Sequence, residues 1–228
     1  MINNLQKPQA IFLMGFVASG KDTQAFLLEE KYGFLRIRSS KIIKDKFKSN
    51  PDDKDVKLTK EQYYKGLLIE PSIIAKWVLE DVRKKYNKGK SIVFGGSPRT
   101  LYEAENELPE MIKLYGKYNV KLIFIDITEE EARNRMEKRL ICEKCGEIIR
   151  FDKYSNVKIG DKCPIVKCNG FVVARKLDAP DVSDVRIKEY YNRTYPAVEY
   201  LKKRIKFYNI DGTKNIEDIH KEIIKHIL

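Results

Sequence analysis

Residues 15 to 23 read Gly15-Phe16-Val17-Ala18-Ser19-Gly20-Lys21-Asp22-Thr23, directly after the apolar run Ala10 to Met14. Glycines let successive backbone N–H groups turn inward, Lys21 adds a mobile cation, and a helix opening here offers its positive end. That is the chemistry of a polyphosphate cradle. The strict pattern places Ser or Thr directly after the lysine, whereas here Asp22 intervenes and Thr23 follows. On this segment alone, a plain glycine-rich strand-to-helix turn is the alternative.

All 4 cysteines fall in one stretch: Cys142-x-x-Cys145-Gly146, then Cys163-x-x-x-x-Cys168-Asn169-Gly170. Paired thiols with a glycine close behind suit tetrahedral Zn²⁺, the longer second spacing requiring only a wider turn. Two disulfides are the competing account, disfavoured in a chain without an export signal. Four thiolates close the coordination sphere, so the metal's role is structural.

Arginines punctuate the chain at related places. Arg99 follows a strand within Gly95-Gly96-Ser97-Pro98-Arg99-Thr100, Arg135 and Arg139 lie four apart on a helix entering the cysteine stretch, Arg175 leaves it, and Arg186 sits on the next helix. Guanidinium forks bind phosphate oxygens bidentately and stay charged when water is excluded. Cations at both roots of a module suit a lid closing over phosphates, although each arginine alone reads as a solvated helix residue.

The elements that must position these groups follow from periodicity. Apolar or β-rich runs at 10–14, 34–37, 92–94, 121–126 and 206–210 alternate with stretches of helical period, which predicts a parallel sheet flanked by helices. Such sheets bind ligands at the carboxyl ends of their strands. The helix after the loop carries Ala25, Leu28 and Tyr32 on one face and stops at Gly33; another opens at Thr128 with Glu131 three residues on, a capping box. Residues 48–60, with Pro51 and three aspartates, read as a mobile connection. His220 and His226 read as solvated, and Trp77, Tyr190, Tyr191, Tyr195 and Tyr200 as packing residues.

At 228 residues and 43% apolar content the chain suits one main domain with an inserted module. A start rich in Asn and Gln and no apolar run long enough for a bilayer predict a soluble, cytosolic protein without a membrane partner. The net charge of +12 favours polyanions but is spread over lysine-rich helix faces, so it supports a phosphorylated ligand only weakly.

Taken together, the loop 15–23 continuing as Gln24-Ala25, the segment 97–100, the arginine-bounded cysteine module, Arg175-Lys176-Leu177-Asp178 with Arg186 eleven residues after Arg175, and Ile210-Asp211-Gly212-Thr213-Lys214 resemble an adenylate kinase with a long zinc-bearing lid. The likeness spans nearly the whole chain. It implies a P-loop NTPase-like, five-stranded parallel sheet as core (1–38, 71–139 and 177–228), a monophosphate-binding insert (39–70) and a zinc lid (140–176). It also implies Mg-dependent transfer of the ATP γ-phosphoryl group to AMP by a monomer.

The resemblance assigns roles by position. Gly15, Ala18, Ser19, Gly20, Lys21, Asp22 and Thr23 hold ATP, with Lys21 on the β- and γ-phosphates and the Thr23 hydroxyl near Mg²⁺. Arg135 lies against the ATP base and the backbone around Lys214 lines the adenine pocket. Arg139, Arg175 and Arg186 grip the transferring group, while Arg99 holds the acceptor phosphate. Ser39, Lys44, Leu68, Ile69, Gly96 and Glu103, with Arg99, Arg175 and Arg186, form the acceptor site. Cys142, Cys145, Cys163 and Cys168 bind zinc, and Asp178 is the surviving acid of the lid hinge.

Several positions depart from the family. Gly95 stands where an aspartate usually orders the water shell of Mg²⁺, and Asp22 is an acid that could take over. Ser39-Ser40 replaces Thr-Gly, Lys44 replaces an arginine, Leu177 replaces a hinge acid, and Glu103 replaces the glutamine that reads adenine. A carboxylate accepts from the adenine amino group but cannot donate to a ring nitrogen. Phosphorylation of CMP, UMP or GMP therefore stays open, as does a non-catalytic zinc-ribbon relative binding nucleic acid.

Overall fold

Every residue of Ala10–Gly15 is buried, as a near-continuous apolar strand covered on both faces must be. This is β1, the middle of the sheet in a computed structural model that describes residues 7–86, 89–150, 152–165 and 167–228. Residues 1–6, part of the start read above as carrying no export signal, lie outside the described residues. The chain continues through α1 (Lys21–Tyr32), β2 (Leu35–Arg38), α2 (Ser39–Ser49), α3 (Lys54–Tyr64), α4 (Pro71–Lys85), β3 (Ile92–Gly95) and α5 (Leu101–Tyr115). Then come β4 (Val120–Asp126), α6 (Glu129–Lys138), β5 (Leu140–Cys142), β6 (Val172–Ala174), α7 (Pro180–Glu189), a π-helical turn at Tyr190–Thr194, α8 (Tyr195–Lys202), β7 (Lys206–Asp211) and α9 (Ile216–Ile227).

Five strands pair in parallel in the order β2-β3-β1-β4-β7. The expected fold class, a P-loop NTPase-like parallel sheet flanked by helices, is the one observed. In register, Phe12 stands beside Phe94 and Leu122, with the two phenyl centroids 4.7 Å apart. Helices α4, α5 and α8 cover one face around Trp77, Val78, Leu108, Met111 and Leu201; α1 and α9 cover the other through Ala25, Leu28, Ile219 and Ile223. Each such aliphatic side chain contributes about 1.5–3 kcal/mol on burial. Strands β5 and β6 form a separate antiparallel pair three residues long. No helix among the described residues is long and apolar enough to cross a membrane.

The local signals held where a mechanism stood behind them. Gly33 ends α1 in the left-handed region, its N–H donating to Glu29 O, and Thr128 caps α6 by accepting from Glu131 N at 3.2 Å. The stretch 48–60 is different: instead of a mobile connection, α3 begins at Lys54 because the Asp53 carboxylate accepts from Asp55 N and Val56 N at 2.8 and 3.2 Å, and Val56 and Thr59 are buried. The aspartates cap a helix. His220 is buried as well, its Nδ1–H donating to Gln24 Oε1 at 2.9 Å while Gln24 Nε2 donates to Ile216 O; the pair joins α1 to α9. Tyr32 lies at the exposed edge of α1, and of the tyrosines read as packing, Tyr190 is buried but Tyr191 and Tyr195 are half exposed.

Candidate functional site

At the carboxyl end of β1 the chain turns sharply because Gly15 has a φ of +149° and a Cβ there would lie 2.3 Å from Ile125 O on the neighbouring strand; only glycine passes. Ala18 at φ 60° and Gly20 at φ 95° continue the loop. Gly20 precedes α1 with no side chain capping the helix, so the first N–H groups of α1 face the loop, an anion-binding arrangement. Lys21 Nζ folds back onto Phe16 O at 3.0 Å. The Ser19 hydroxyl is buried without a hydrogen-bond partner among the described residues.

Around this loop the cations converge. Burial pushes the Lys21 ammonium down to about 7; Asp22 opposes that, and the charges of Arg99, Arg186 and Arg139 add to it. Burial alone would raise the Asp22 carboxyl, yet Lys21, Arg99, Arg175 and Arg139 hold it below the usual carboxylate range. Arg186 is driven down to about 9 by burial and then by Arg175 and Arg139. A buried cluster of like charges is stable only against an anion.

Part of that anion is Asp178. Arg139 donates from Nε and Nη2 to its two oxygens at 2.6 and 2.5 Å, and Arg186 donates from Nη1 to Oδ1 at 2.5 Å. The three side chains are 9%, 10% and 4% exposed for Arg139, Arg186 and Asp178. Arg139 does not share a helix face with Arg135, because α6 ends at Lys138 and Arg139 is an extended residue beyond it. That change of direction aims Arg139 inward.

Two cavities meet here. A narrow groove of about 100 Å³ is lined by the cations Lys21, Arg99, Arg175 and Arg186 together with Ser39, Leu68, Ile69, Gly96 and Glu103. A larger cavity of about 580 Å³ lies between α1, β2 and the cysteine segment, lined by Asp22, Thr23 and Lys44, and it shares Ser40, Tyr63, Arg175 and Leu177 with the groove. Arg99 is placed by its Nε donating to Gly96 O at 2.9 Å, the carbonyl that also accepts from Ser39 Oγ at 2.8 Å. A Cβ at Gly96, whose φ is +94°, would stand 2.8 Å from Ser39 Oγ and 3.2 Å from Arg99 Nη2. Asp22 Oδ1 lies 3.0 Å from where a Cβ at Gly95 would be. The carboxylate thus occupies the space beside the end of β3 that a side chain at 95 would enter.

Not every expected residue reaches the cavities. Arg135 donates to Glu131 Oε1 at 2.6 Å and to Gly212 O at 2.8 Å, beside the segment 211–214 but lining neither cavity. The exposed Lys214 side chain pairs with Glu222 at 2.8 Å. Lys44 is absent from the groove and faces the cysteine segment, its Nζ lying 3.6 Å from the position of a Cβ at Gly146.

Other residues at the site escaped the sequence reading. Glu147 bridges to Arg36 and Arg38 of β2 at 2.7 and 2.5 Å, tying the cysteine segment to the sheet. Glu189 accepts from Leu68 N at 2.8 Å. Glu107 lies buried beside Glu103; its spacing along the apolar face of α5, with Ala104, Leu108 and Met111, was the available signal.

The four thiols form a compact set. Sγ–Sγ distances are 3.6 Å for Cys142 and Cys168 and 3.9 Å for Cys145 and Cys163, and all four lie within 4.8 Å of one another. Zinc–sulfur bonds of about 2.3 Å in a tetrahedron place sulfurs about 3.8 Å apart, whereas a disulfide needs about 2.05 Å. The set fits a tetrahedral metal ion and no disulfide joins its members.

Comparison with known proteins places this architecture. Residues 13–206 match the family model described as adenylate kinase. The chain is 31% identical to the adenylate kinase of Archaeoglobus fulgidus over 93% of its own length and 95% of the relative's. It is 29% identical to that of Acetivibrio thermocellus over 94% and 95%, and 31% identical to that of Elusimicrobium minutum over 95% and 97%.

Proposed function

This chain belongs to the adenylate kinase family of phosphotransferases, and from that premise we propose that it moves the γ-phosphoryl group of ATP to AMP, reversibly giving two ADP. The observation that carries the reading is the one groove that Lys21, Arg99, Arg175 and Arg186 line together with Leu68, Ile69 and Glu103. On this reading Arg99 holds the acceptor phosphate, Lys21 and the loop 15–23 hold the donor phosphates, and Arg175 and Arg186 from the groove, joined by Arg139 from its place on Asp178, neutralise the group in transit. An acceptor phosphate is already an anion, so no general base is needed; alignment and charge neutralisation do the work. Asp178 holds Arg139 and Arg186 in place before substrate arrives, so less reorganisation accompanies the reaction.

Bound Mg²⁺ supplies charge neutralisation between the donor phosphates. The residues that fit it are Thr23, by its hydroxyl, and Asp22, the ionised carboxylate beside the end of β3. Zn²⁺ on Cys142, Cys145, Cys163 and Cys168 gives structure to residues 140–176, a lid whose roots carry Arg139 and Arg175. Residues 39–70 serve as the acceptor insert, and the enzyme works as a cytoplasmic monomer. A second reading, a different monophosphate as acceptor, is favoured by Lys44 standing outside the groove. A panel of AMP, CMP, UMP and GMP with MgATP separates the two: AMP turns over fastest if the first reading holds. No diphosphate from any of the four sinks both.

A further inference from the structure

Part of the groove wall is backbone that no secondary structure supports. Leu67, Leu68 and Ile69 line the groove, and residues 67–70 belong to no helix or strand. The polar groups of such a segment must find partners elsewhere. Leu68 finds them on side chains: its N–H donates to Glu189 Oε2 at 2.8 Å, and Arg193 Nη1 lies 3.5 Å from its carbonyl oxygen. Arg193 Nη1 also donates to Glu189 Oε2 at 3.3 Å. One ion pair thus does for Leu68 what a neighbouring strand would do. The two side chains are 17% and 33% exposed, so the carboxylate acts as a charged acceptor in a half-dry place.

The pair straddles the π-helical turn. Glu189 ends α7 and Arg193 lies within Tyr190–Thr194, where Tyr195 N–H reaches back five residues to Tyr190 O. Turns of this kind recur at functional sites, and here Tyr190 and Thr194 line the groove as well. The segment is also seated on α7 by contact. A Cβ at Gly66, whose φ is +77°, would stand 2.6 Å from Val182 Cγ1 and 3.2 Å from Arg186 Cγ. The helix that brings Arg186 to the groove therefore holds the Leu68 wall too.

We propose that Glu189, steadied by Arg193, is a positioning residue for the acceptor: its grip on the Leu68 peptide keeps residues 67–69 at the groove before the monophosphate arrives. The proposal rests on the groove being the acceptor site. Without the grip the wall is in place in only a fraction of molecules, and apparent acceptor affinity falls by that fraction. Saturating acceptor restores the wall, so the loss falls on KM and spares kcat. Lys21 and the loop 15–23 take no part in the grip, so the KM for ATP is spared too.

Steady-state kinetics test this, with ATP and the preferred monophosphate varied in turn, in the native enzyme, Glu189→Ala and Glu189→Gln. The alanine variant is expected to raise the acceptor KM at least about tenfold, with kcat and the KM for ATP within about threefold of native. Glutamine keeps an oxygen for the Leu68 N–H, and its acceptor KM is expected within about threefold of native. An unchanged acceptor KM in Glu189→Ala, a joint rise in both KM values, a loss confined to kcat, or a glutamine variant no better than alanine overturns the proposal while the kinase reading stands. Hydrogen exchange at the Leu68 amide gives a readout independent of turnover. It is expected to be at least about tenfold faster in Glu189→Ala than in the native protein and slow again in Glu189→Gln; equal rates in all three refute the grip. No phosphorylation of any common monophosphate by the native enzyme removes the groove reading and this proposal with it.

Discussion

Removing the metal from residues 140–176 should melt that segment and leave the sheet intact. Within the segment the ladder of β5 with β6 is three residues long, and among the described residues the buried hydrophobic side chains are Cys142, Ile149, Cys163 and Val172. The two aliphatic ones contribute about 3–6 kcal/mol together. A structural zinc ion in a small domain supplies about 10–16 kcal/mol, so a bound metal would outweigh these two side chains. Two of the four thiols, Cys142 and Cys163, are themselves buried, so loosening the set should expose apolar as well as polar surface. Arg139 precedes this segment and Arg175 ends it, and loosening their roots should cost turnover on the order of 10²-fold. Limited proteolysis of chelated protein and of Cys145→Ser should cut between residues 143 and 167 while the far-UV signal of the sheet and helices persists. Zinc should restore protection and turnover to chelated native protein and not to the variant. Equal protease resistance and turnover with and without metal would refute the reasoning.

Three other outcomes follow from the same geometry. Asp178→Asn leaves the guanidinium groups of Arg139 and Arg186 without their buried counter-charge, and should destabilise the nucleotide-free protein by about 3–5 kcal/mol in denaturant unfolding; saturating ATP should recover part of the loss, and a variant as stable as the native chain contradicts the pairing. Because burial and surrounding arginines hold Lys21 near 7, it is largely neutral at about pH 8 in the free enzyme, and bound phosphates restore its proton. Calorimetry in buffers of different ionisation enthalpy should therefore find uptake of about one proton per ATP at that pH, shrinking toward pH 6, where Lys21 is already charged; no uptake at the higher pH is the contrary result. Asp22→Gly should weaken the Mg²⁺ dependence of both ATP binding and turnover, and an unchanged Mg²⁺ titration removes Asp22 from the metal's surroundings.

What the sequence made legible was whatever one short segment decides. The five strands, the Gly33 stop and the Thr128 cap depend on neighbours within a few residues, and each was found where composition placed it. The phosphate loop and the paired cysteines are equally local, so their chemistry could be read before their surroundings were known. Asp53 was misread because an aspartate-rich stretch looks like a linker until one of its carboxylates finds the N–H groups of a helix. His220 was misread because its partner, Gln24, lies 196 residues away. The grip of Glu189 on the Leu68 N–H escaped for the same reason: 121 residues separate the two. Convergence of Arg99, Arg139, Arg175 and Arg186 on Lys21 could be suspected from their positions at the module's roots, but it required the chain reversal beyond α6 to become geometry.

The central claim is that one nest of cations serves the phosphates of two nucleotides at once. Calorimetric titration with the compound that joins two adenosines through five phosphates tests it most directly. The account predicts one molecule bound per chain, far more tightly than ADP, with the advantage largely lost in Arg186→Ala. Affinity no greater than that of ADP, or an advantage indifferent to Arg186, would contradict it.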